Sequence, residues 1–550
     1  MTTSAFKQII HNPLLWVALL LLFPLLNEVV FSDFVREGEY NSRIGWSLII
    51  AFLITYADRR WVTALLLLPF AIGGSADIGY AYSFGGVFTT ATMEAVAYTD
   101  QYEIIEYLKA YSSWQLILLL LAQWSIYAAA VYFCRRTDSR KYRKFITVAG
   151  MLLLTVVVYR TSVMGKYHDT IPGILGTLPS YYRGSISLQQ EVDLRREMVS
   201  KTDVQATLRH PEQKQLHILI IGESATRNHM GIYGYHRKTT PHLSAIKDQL
   251  IVLDNVISSH VQTQASLRVA LTAADADSGD QYRQALSIID ISNLAGYKTF
   301  WISNQQPQRA TIASISTQAD VTHYISNDFH GVEVRRFDEY MLDSVKQAIA
   351  DPAPQKVILI HMMGSHAQYR NRFPESLAHF AGDDVNAYRQ DPSADEISAI
   401  NDYDNSILYS DYVVSEIIKL TSAADHEVRS TVTYFSDHGE EVYQQANVKG
   451  HTPDNLTSNM MEIPFIVWFS DKNDPEAAVL KEHSNKPFML DSLFHYALDT
   501  LDINSSALIE DNSPASATFA PDSYRVVYGK RYEEDFQLQH NDAVKLSDRK

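Results

Sequence analysis

The sequence predicts an N-terminal α-helical membrane domain of five transmembrane helices, followed by a C-terminal α/β domain with a mostly parallel sheet sandwiched by helices. Three observations lead there. Long apolar runs are confined to roughly the first third of the chain. The loops between them carry their positive charge on one side. From Leu216 onward, short apolar strands alternate with longer amphipathic segments.

The apolar runs are Pro13 to Phe31, Ile44 to Ala57, Trp61 to Ala76, Trp114 to Phe133 and Ile146 to Tyr159. Four of them approach the roughly 20 residues that a bilayer core demands, and Ile44 to Ala57 is the shortest. A run of about 14 apolar residues is also compatible with a buried soluble helix. Its position at hairpin distance from other runs favours a span. The basic loops, Asp58 to Arg60 and Cys134 to Lys144, fall on one side of a five-span arrangement and so belong in the cytoplasm. The N-terminus is then inside, and everything after about Gly165 is on the opposite face. In a bacterium this is the periplasm. No cleavable leader is expected, because four more spans follow the first run and no small-residue cleavage pattern succeeds it.

Composition excludes some classes. The 550 residues are 46% hydrophobic, enough for more than one domain, and carry a formal net charge of −16, which argues against nucleic-acid binding. Cys134 is the single cysteine, so neither an intrachain disulfide nor a cysteine-based zinc knuckle is available.

The expected domains are a membrane anchor over 1–165, an interfacial linker over 166–213 and a periplasmic catalytic domain over 214–550. The linker begins with Pro172, Gly173, Gly176, Pro179 and Tyr181 to Gly184, and ends in a charged stretch that reads as a short polar helix. Beyond it, Leu216 to Gly222, Tyr297 to Ser303, Lys356 to Met362, Ser430 to Ser436 and Ile463 to Ser470 read as strands buried on both faces. Helical stretches such as Asn405 to Ala423 lie between them, and ligands on such sheets collect beyond the carboxyl ends of the strands.

Those ends are chemically loaded. The first strand runs into "GESATRNH" from Gly222, the third into "HMMGSH" from His361 and the fourth into "SDHGEE" from Ser436. Carboxylates and imidazoles without thiolates suit zinc or manganese. Asp437 and His438 are adjacent, and neighbours in a strand point to opposite faces, so both reach one ion only if the backbone turns sharply. Gly439 is expected to permit that turn.

The segments Leu219 to Leu243, Gly364 to His366, Ser436 to Glu441 and Lys449 to Asn455, above all the pairing of "GES" with "YGYHRKTTP", resemble the lipopolysaccharide-modifying phosphoethanolamine transferases. These are membrane-anchored members of the alkaline phosphatase and sulfatase superfamily, and the resemblance extends over nearly the whole chain. It implies a zinc-bound threonine nucleophile, here Thr263 within "VQT", where many relatives read Cys-Gly-Thr. Ser266 is the alternative, followed by Ser258 and Ser259. The same resemblance assigns the ion to Glu223, Thr263, Asp437 and His438, and places His366 and His451 beside it, for a second zinc or for phosphoryl oxygens and the leaving group.

A hydroxyl is a poor nucleophile at neutral pH, and a zinc ion would hold it ionised without a dedicated base. The implied reaction moves phosphoethanolamine from phosphatidylethanolamine to Thr263, releasing diacylglycerol, and then to lipopolysaccharide. Thr99 and Glu103 match residues that the family uses near the ethanolamine headgroup, although Ala95 stands where many relatives carry Asn. Trp301 to Ile312 and the stretch around Lys356 resemble the branch that modifies a core heptose more than the branch acting on lipid A, with Asn304, Gln305 and Arg309 as candidate acceptor or phosphate contacts. The expected protein is a monomer in the Gram-negative inner membrane. A sulfatase would need a Cys or Ser in a C/S-x-P-x-R setting, which "SLR" lacks. A phosphoglycerol transferase is the nearest enzymatic alternative, and an inactive sensor or scaffold the non-enzymatic one.

Overall fold

The computed structural model describes residues 9–31, 39–56, 59–89, 92–93, 96–97, 99, 101–133, 140–167, 170–184, 188–306, 311–325, 337–424 and 427–536. The chain divides into two units, Met1–Ile186 and Ser187–Lys550.

In the first unit each apolar run is helical: α1 (Pro13–Phe31), α2 (Glu39–Thr55), α3 (Arg60–Phe84), α5 (Trp114–Phe133) and α6 (Arg140–Val158), with α4 (Gln101–Tyr111) between α3 and α5. Among the described residues, four helices are long and apolar enough to cross a membrane; α2 is outside that set. It has 17 residues and begins with the charged Glu39 and Arg43. Arg43 is buried and satisfied internally. Its guanidinium donates to Glu39 and Glu28, both at 2.7 Å, to Asp77 at 3.0 Å and to the Leu21 carbonyl at 3.0 Å, tying α1, α2 and α3 together.

The same carboxylates hold the next helix, α7 (Gly173–Gly184): Glu39 accepts from the Gly173 amide and Asp77 from the Ile174 amide, both at 3.0 Å. Gly173 has φ +55°, and a Cβ there would lie 2.0 Å from an Asp77 oxygen, so only glycine fits. The segment expected as one linker is therefore shared. Helix α7 lies in the first unit, whereas α8 (Leu188–Lys201) lies in the second, where Arg195 donates to Asp290 at 2.8 Å with both side chains buried.

The second unit is organised on a seven-stranded sheet. Its strands are β1 (Gln215–Gly222), β2 (Leu250–Val252), β3 (Lys298–Ser303), β4 (Val321–Tyr324), β5 (Gln355–His361), β6 (Arg429–Ser436) and β7 (Phe465–Phe469), in the order β2-β7-β6-β1-β5-β3-β4. The pairings among β6, β1, β5, β3 and β4 are parallel, but β7 is antiparallel to both β6 and β2, so the sheet is mixed. An apolar run buried on both faces carries no sign of its direction, so the sequence of Ile463 to Ser470 marks a strand but not its reversal.

Alternate residues of β1 feed different cores. Leu219 and Ile221 join one with Leu359, Phe435 and Phe465; Ile218 and Ile220 join the other with Ile358, Ile360, Tyr434 and Ile466. Two helices matter for the site. The short α9 (Thr263–Ala270) follows β2, and the long α10 (Ala394–Ser422) opens on a capping box made by Ser393 and Glu396. This arrangement predicts that Ile220→Ala, at a fully buried central position, costs about 2–5 kcal/mol in denaturant unfolding. Val321→Ala, at a residue 41% exposed on the edge strand β4, should cost well under about 1 kcal/mol.

Candidate metal centre

The central strand delivers the first ligand candidate. Glu223 follows β1 directly and is fully buried, and the chain after it turns through Ser224, whose φ of +54° is unusual for a residue with a side chain. That conformation aims the Ser224 amide at Asp437 Oδ1 (3.1 Å), while the Ser224 hydroxyl donates to Glu223 Oε1 (2.8 Å). Gln305, at the end of β3, donates to Glu223 Oε2 (2.9 Å) and to the Met362 carbonyl (3.0 Å).

From β6 come Asp437 and His438, both fully buried. The His438 amide donates to Asp437 Oδ1 at 2.8 Å, and its Nδ1–H donates to the Gly439 carbonyl at 2.8 Å. The other ring nitrogen, Nε2, is thereby left with its lone pair turned to the carboxylates. Gly439 is needed for a different reason than expected. Its φ is not in the left-handed region; a Cβ would instead lie 2.0 Å from the Asn459 carbonyl oxygen, so glycine is required by close backbone approach.

Thr263 is the first residue of α9 and half-buried. Its Oγ1 lies 3.2 Å from each Glu223 oxygen and 3.4 Å from His438 Nε2. The other hydroxyls of this segment are turned elsewhere: Ser266 donates to the Asp437 carbonyl at 2.6 Å, Ser258 faces the Met461 carbonyl, and Ser259 lies against His260.

These separations test whether an ion fits. His438 Nε2 is 3.4 Å from Glu223 Oε1 and 3.4 Å from Asp437 Oδ2, and the latter oxygen is buried with no hydrogen-bond partner. Four ligands at about 2.0–2.1 Å from a tetrahedral zinc ion lie about 3.3–3.4 Å from one another. The Thr263–Glu223, Thr263–His438, His438–Glu223 and His438–Asp437 separations therefore match the edges of a zinc shell, and an unpartnered buried carboxylate oxygen suits a cation.

Electrostatics agree. Burial, reinforced by the Asp437 charge, pushes the Glu223 carboxyl up to about 7, and burial raises Asp437 to about 6. Burial and the neighbouring His451 lower His438 to about 4, keeping it neutral.

A second group, His438, Glu440 and His451, shares one imidazole with the first. His451 donates from Nδ1 to Glu440 Oε2 at 2.6 Å, Tyr369 donates to Glu440 Oε1 at 2.5 Å, and the His438 and His451 ring centroids are 4.2 Å apart. Burial disfavours the His451 imidazolium, but the Glu440 carboxylate outweighs it and the pKa is raised. His366 behaves oppositely. Burial, then Arg372, His451 and His438, hold its pKa well below the usual range, and its buried Nδ1 has no hydrogen-bond partner. The Met362–His366 turn that carries it is held by Asp338, which accepts from the Met363 amide at 2.8 Å and the Gly364 amide at 2.9 Å.

The structure thus gathers Glu223, Thr263, Asp437, His438, His366 and His451. Asn304 is buried with its amide donating to Asp338 at 2.8 Å, and Gln305 is buried with its amide donating to Glu223. Arg309 lies outside the described residues. Thr99 precedes α4 and Glu103 lies within it, both in the first unit. Glu440 was not singled out from the sequence, although its i,i+2 spacing from His438 on a chain leaving a strand was a usable signal.

Residues 215–503 match the sulfatase family model. The chain is 30% identical over 462 residues to phosphoethanolamine transferase EptC of Escherichia coli K12, covering 79% of each protein. It is similar to the crystal structure of the C-terminal periplasmic domain of the Escherichia coli EptC in complex with zinc, at 32% identity and a TM-score of 0.55, covering 60% of this chain and 94% of that one. The integral membrane lipooligosaccharide phosphoethanolamine transferase A of Neisseria meningitidis shares the fold over 92% of this chain and 98% of that one, with a TM-score of 0.66 and 18% identity.

The raised carboxylates have a testable consequence. A group whose pKa is higher in the folded than in the unfolded state stabilises the fold below its unfolded value and loses that contribution as pH rises through the folded one. The contribution of Glu223 and Asp437 to the thermal stability of the metal-stripped protein should therefore decline from about pH 4 to about pH 7, against the opposite trend of the buried histidines whose pKa values are lowered. Glu223→Gln should flatten the decline, and added zinc should abolish it in the native chain, as read by thermal unfolding across pH.

Proposed function

The chain belongs to the sulfatase family, its relatives there include phosphoethanolamine transferases, and on that premise we propose that it transfers phosphoethanolamine from phosphatidylethanolamine to a core heptose of lipopolysaccharide through a phospho-Thr263 intermediate. The observation that carries the reading is the placement of one half-buried hydroxyl, Thr263 Oγ1, against Glu223 and His438 at ligand spacing. Zinc bound to Glu223, Asp437, His438 and Thr263 would lower the pKa of that hydroxyl and withdraw charge from the phosphoryl group.

In the first half-reaction Thr263 Oγ1 attacks phosphorus, the bond to the glyceryl oxygen breaks, and diacylglycerol departs after taking a proton. His451 suits that donation, because Glu440 favours its protonated form. His366, held neutral, suits contact with the phosphoryl oxygens. Thr263 stands at the N-terminus of α9, where the helix dipole favours negative charge on its oxygen. In the second half the acceptor hydroxyl attacks the phosphothreonine, returns its proton to His451 and restores Thr263. The ion beside these groups is zinc in this reading; manganese would accept the same donors.

The donor is a lipid, which gives the membrane unit its purpose, with Thr99 and Glu103 as contacts for the ethanolamine headgroup and a carboxylate at Glu103 matched to an ammonium. Helix α2 serves as the fifth span, since Arg43 at its charged end is ion-paired within the unit with Glu28, Glu39 and Asp77. Five spans place the catalytic unit in the periplasm of a Gram-negative cell, as a monomer in the inner membrane.

Mass spectrometry of lipopolysaccharide from cells with and without the protein tests the transfer. One phosphoethanolamine should be added to the core, and Thr263→Ala should abolish it while leaving expression and membrane insertion intact. Addition to lipid A would move the acceptor, a glycerophosphate product would exchange the donor, and transfer by Thr263→Ala would remove the nucleophile.

A further inference from the structure

The segment from Asn228 to Thr240 contributes none of the ligand candidates. Three of its side chains, those of His229, Tyr235 and Arg237, are turned instead to a single carboxylate on α10. Asp404, fully buried, faces His229 Nδ1 through Oδ1 at 2.7 Å, and its Oδ2 accepts from Tyr235 at 3.1 Å and Arg237 at 2.8 Å. Arg237 also donates to Asn401 Oδ1 at 2.9 Å and to Asp384. Asp404 thus fixes one turn of α10 against the loop that follows Glu223.

The residue before Asp404 is Tyr403, which is fully buried and reaches back to that loop. Its hydroxyl donates to the Ser224 carbonyl at 2.8 Å and accepts from the Thr226 amide at 2.9 Å. The two bonds clamp the peptides on either side of Ala225 and hold Ser224 in its left-handed conformation. That conformation presents the Ser224 amide to Asp437 Oδ1 and the Ser224 hydroxyl to Glu223, which leaves Asp437 Oδ2 free for an ion. The Tyr403 ring also packs edge-on against Tyr369, at 4.9 Å between centroids, and Tyr369 donates to Glu440 in the second group.

We propose that Tyr403 is a positioning residue for the metal centre, held in register by the Asp404 cluster of His229, Tyr235 and Arg237, and that it sets the two carboxylates Glu223 and Asp437 at ligand spacing through the Ser224 turn. It rests on the metal site assigned above and not on which group is transferred or to what. Partners behind the ligands of other metal sites typically contribute about 10–100-fold to metal affinity. A hydroxyl with two backbone partners has no substitute once lost, because Phe fills the space and leaves both peptide groups unpaired.

The test uses the detergent-solubilised full chain with zinc alone as the probe. Tyr403→Phe should weaken zinc about 10–100-fold in competition with a chromophoric chelator, and should shift the visible absorption of the cobalt-substituted protein. Thr433→Val, which breaks the buried Thr433–Tyr496 hydrogen bond of 2.8 Å elsewhere on the sheet, should lower thermal stability without changing zinc affinity. Tyr235→Phe, one bond further from the centre, should weaken zinc by a smaller factor in the same direction, and it decides the matter if Tyr403→Phe does not fold. Native zinc affinity in Tyr403→Phe, or in Tyr235→Phe where the former is unfolded, overturns the positioning role while the metal site stands. An equal loss in Thr433→Val reduces the effect to general destabilisation. Failure of the native chain to bind zinc removes both the site and the role.

Discussion

The catalytic unit is arranged around an electrostatic constraint: Glu223, Asp437 and His438 are fully buried with their ligand atoms within 4.8 Å of one another. Two carboxylates at that distance repel, and removing each from water costs several kcal/mol. A divalent cation relieves both. The sheet brings the groups together because β1 and β6 are adjacent and parallel, with Gly222 opposite Ser436, so that both chains leave the sheet at the same edge. Everything else at that edge orients what the two strands deliver. Gln305 takes one oxygen of Glu223, the Ser224 amide takes one oxygen of Asp437, and the Gly439 carbonyl takes the Nδ1 proton of His438. Each bond removes one way in which a ligand could face wrongly.

Sequence made some of this legible and hid the rest for physical reasons. The five apolar strands were readable because β-rich runs bounded by Gly, Ser and His stand out against amphipathic neighbours, and each lies in the sheet. The reversal of β7 was not, since burial on both faces erases the alternation that marks direction and side. The strand-end acids and imidazoles were readable as a set. Their division of labour was not: that Gln305 braces Glu223 and Asn304 braces Asp338 depends on which way two consecutive side chains point after β3 ends. Thr263 could be placed only by resemblance, because "VQT" carries no local mark of a nucleophile, whereas the geometry separates it from Ser266 by partner alone.

The membrane unit meets the same constraint with the signs exchanged. Arg43 is a buried cation that recruits Glu28, Glu39 and Asp77, and two of those carboxylates then take the first amides of α7. An isolated charge at that depth would be costly, so each charged residue in this part of the chain implies a partner on another helix. Read singly, Glu39 and Arg43 make α2 look too polar to belong with the other apolar helices. Read as part of a network that α1 and α3 complete, they are satisfied within the unit.

The pair His438 and His451 shows how closely position determines chemistry. Their rings are 4.2 Å apart, His438 fully buried and His451 partly so, yet one is held neutral and the other favours its proton. The difference lies in what each Nδ1 meets. His438 donates to the uncharged carbonyl of Gly439, which fixes its tautomer, while burial and the neighbouring His451 outweigh the small stabilisation that this bond gives the imidazolium, so Nε2 keeps the lone pair that a cation needs. His451 donates to the carboxylate of Glu440, which stabilises the imidazolium and also makes protonation of its neighbour less favourable. Glu440 thus raises the His451 pKa, and the charge on His451 in turn lowers that of His438 by more than Glu440 raises it directly. That coupling requires the two imidazoles to be adjacent, which the antiparallel pairing of Lys449–Gly450 with Glu441–Val442 brings about by folding the chain after β6 back on itself.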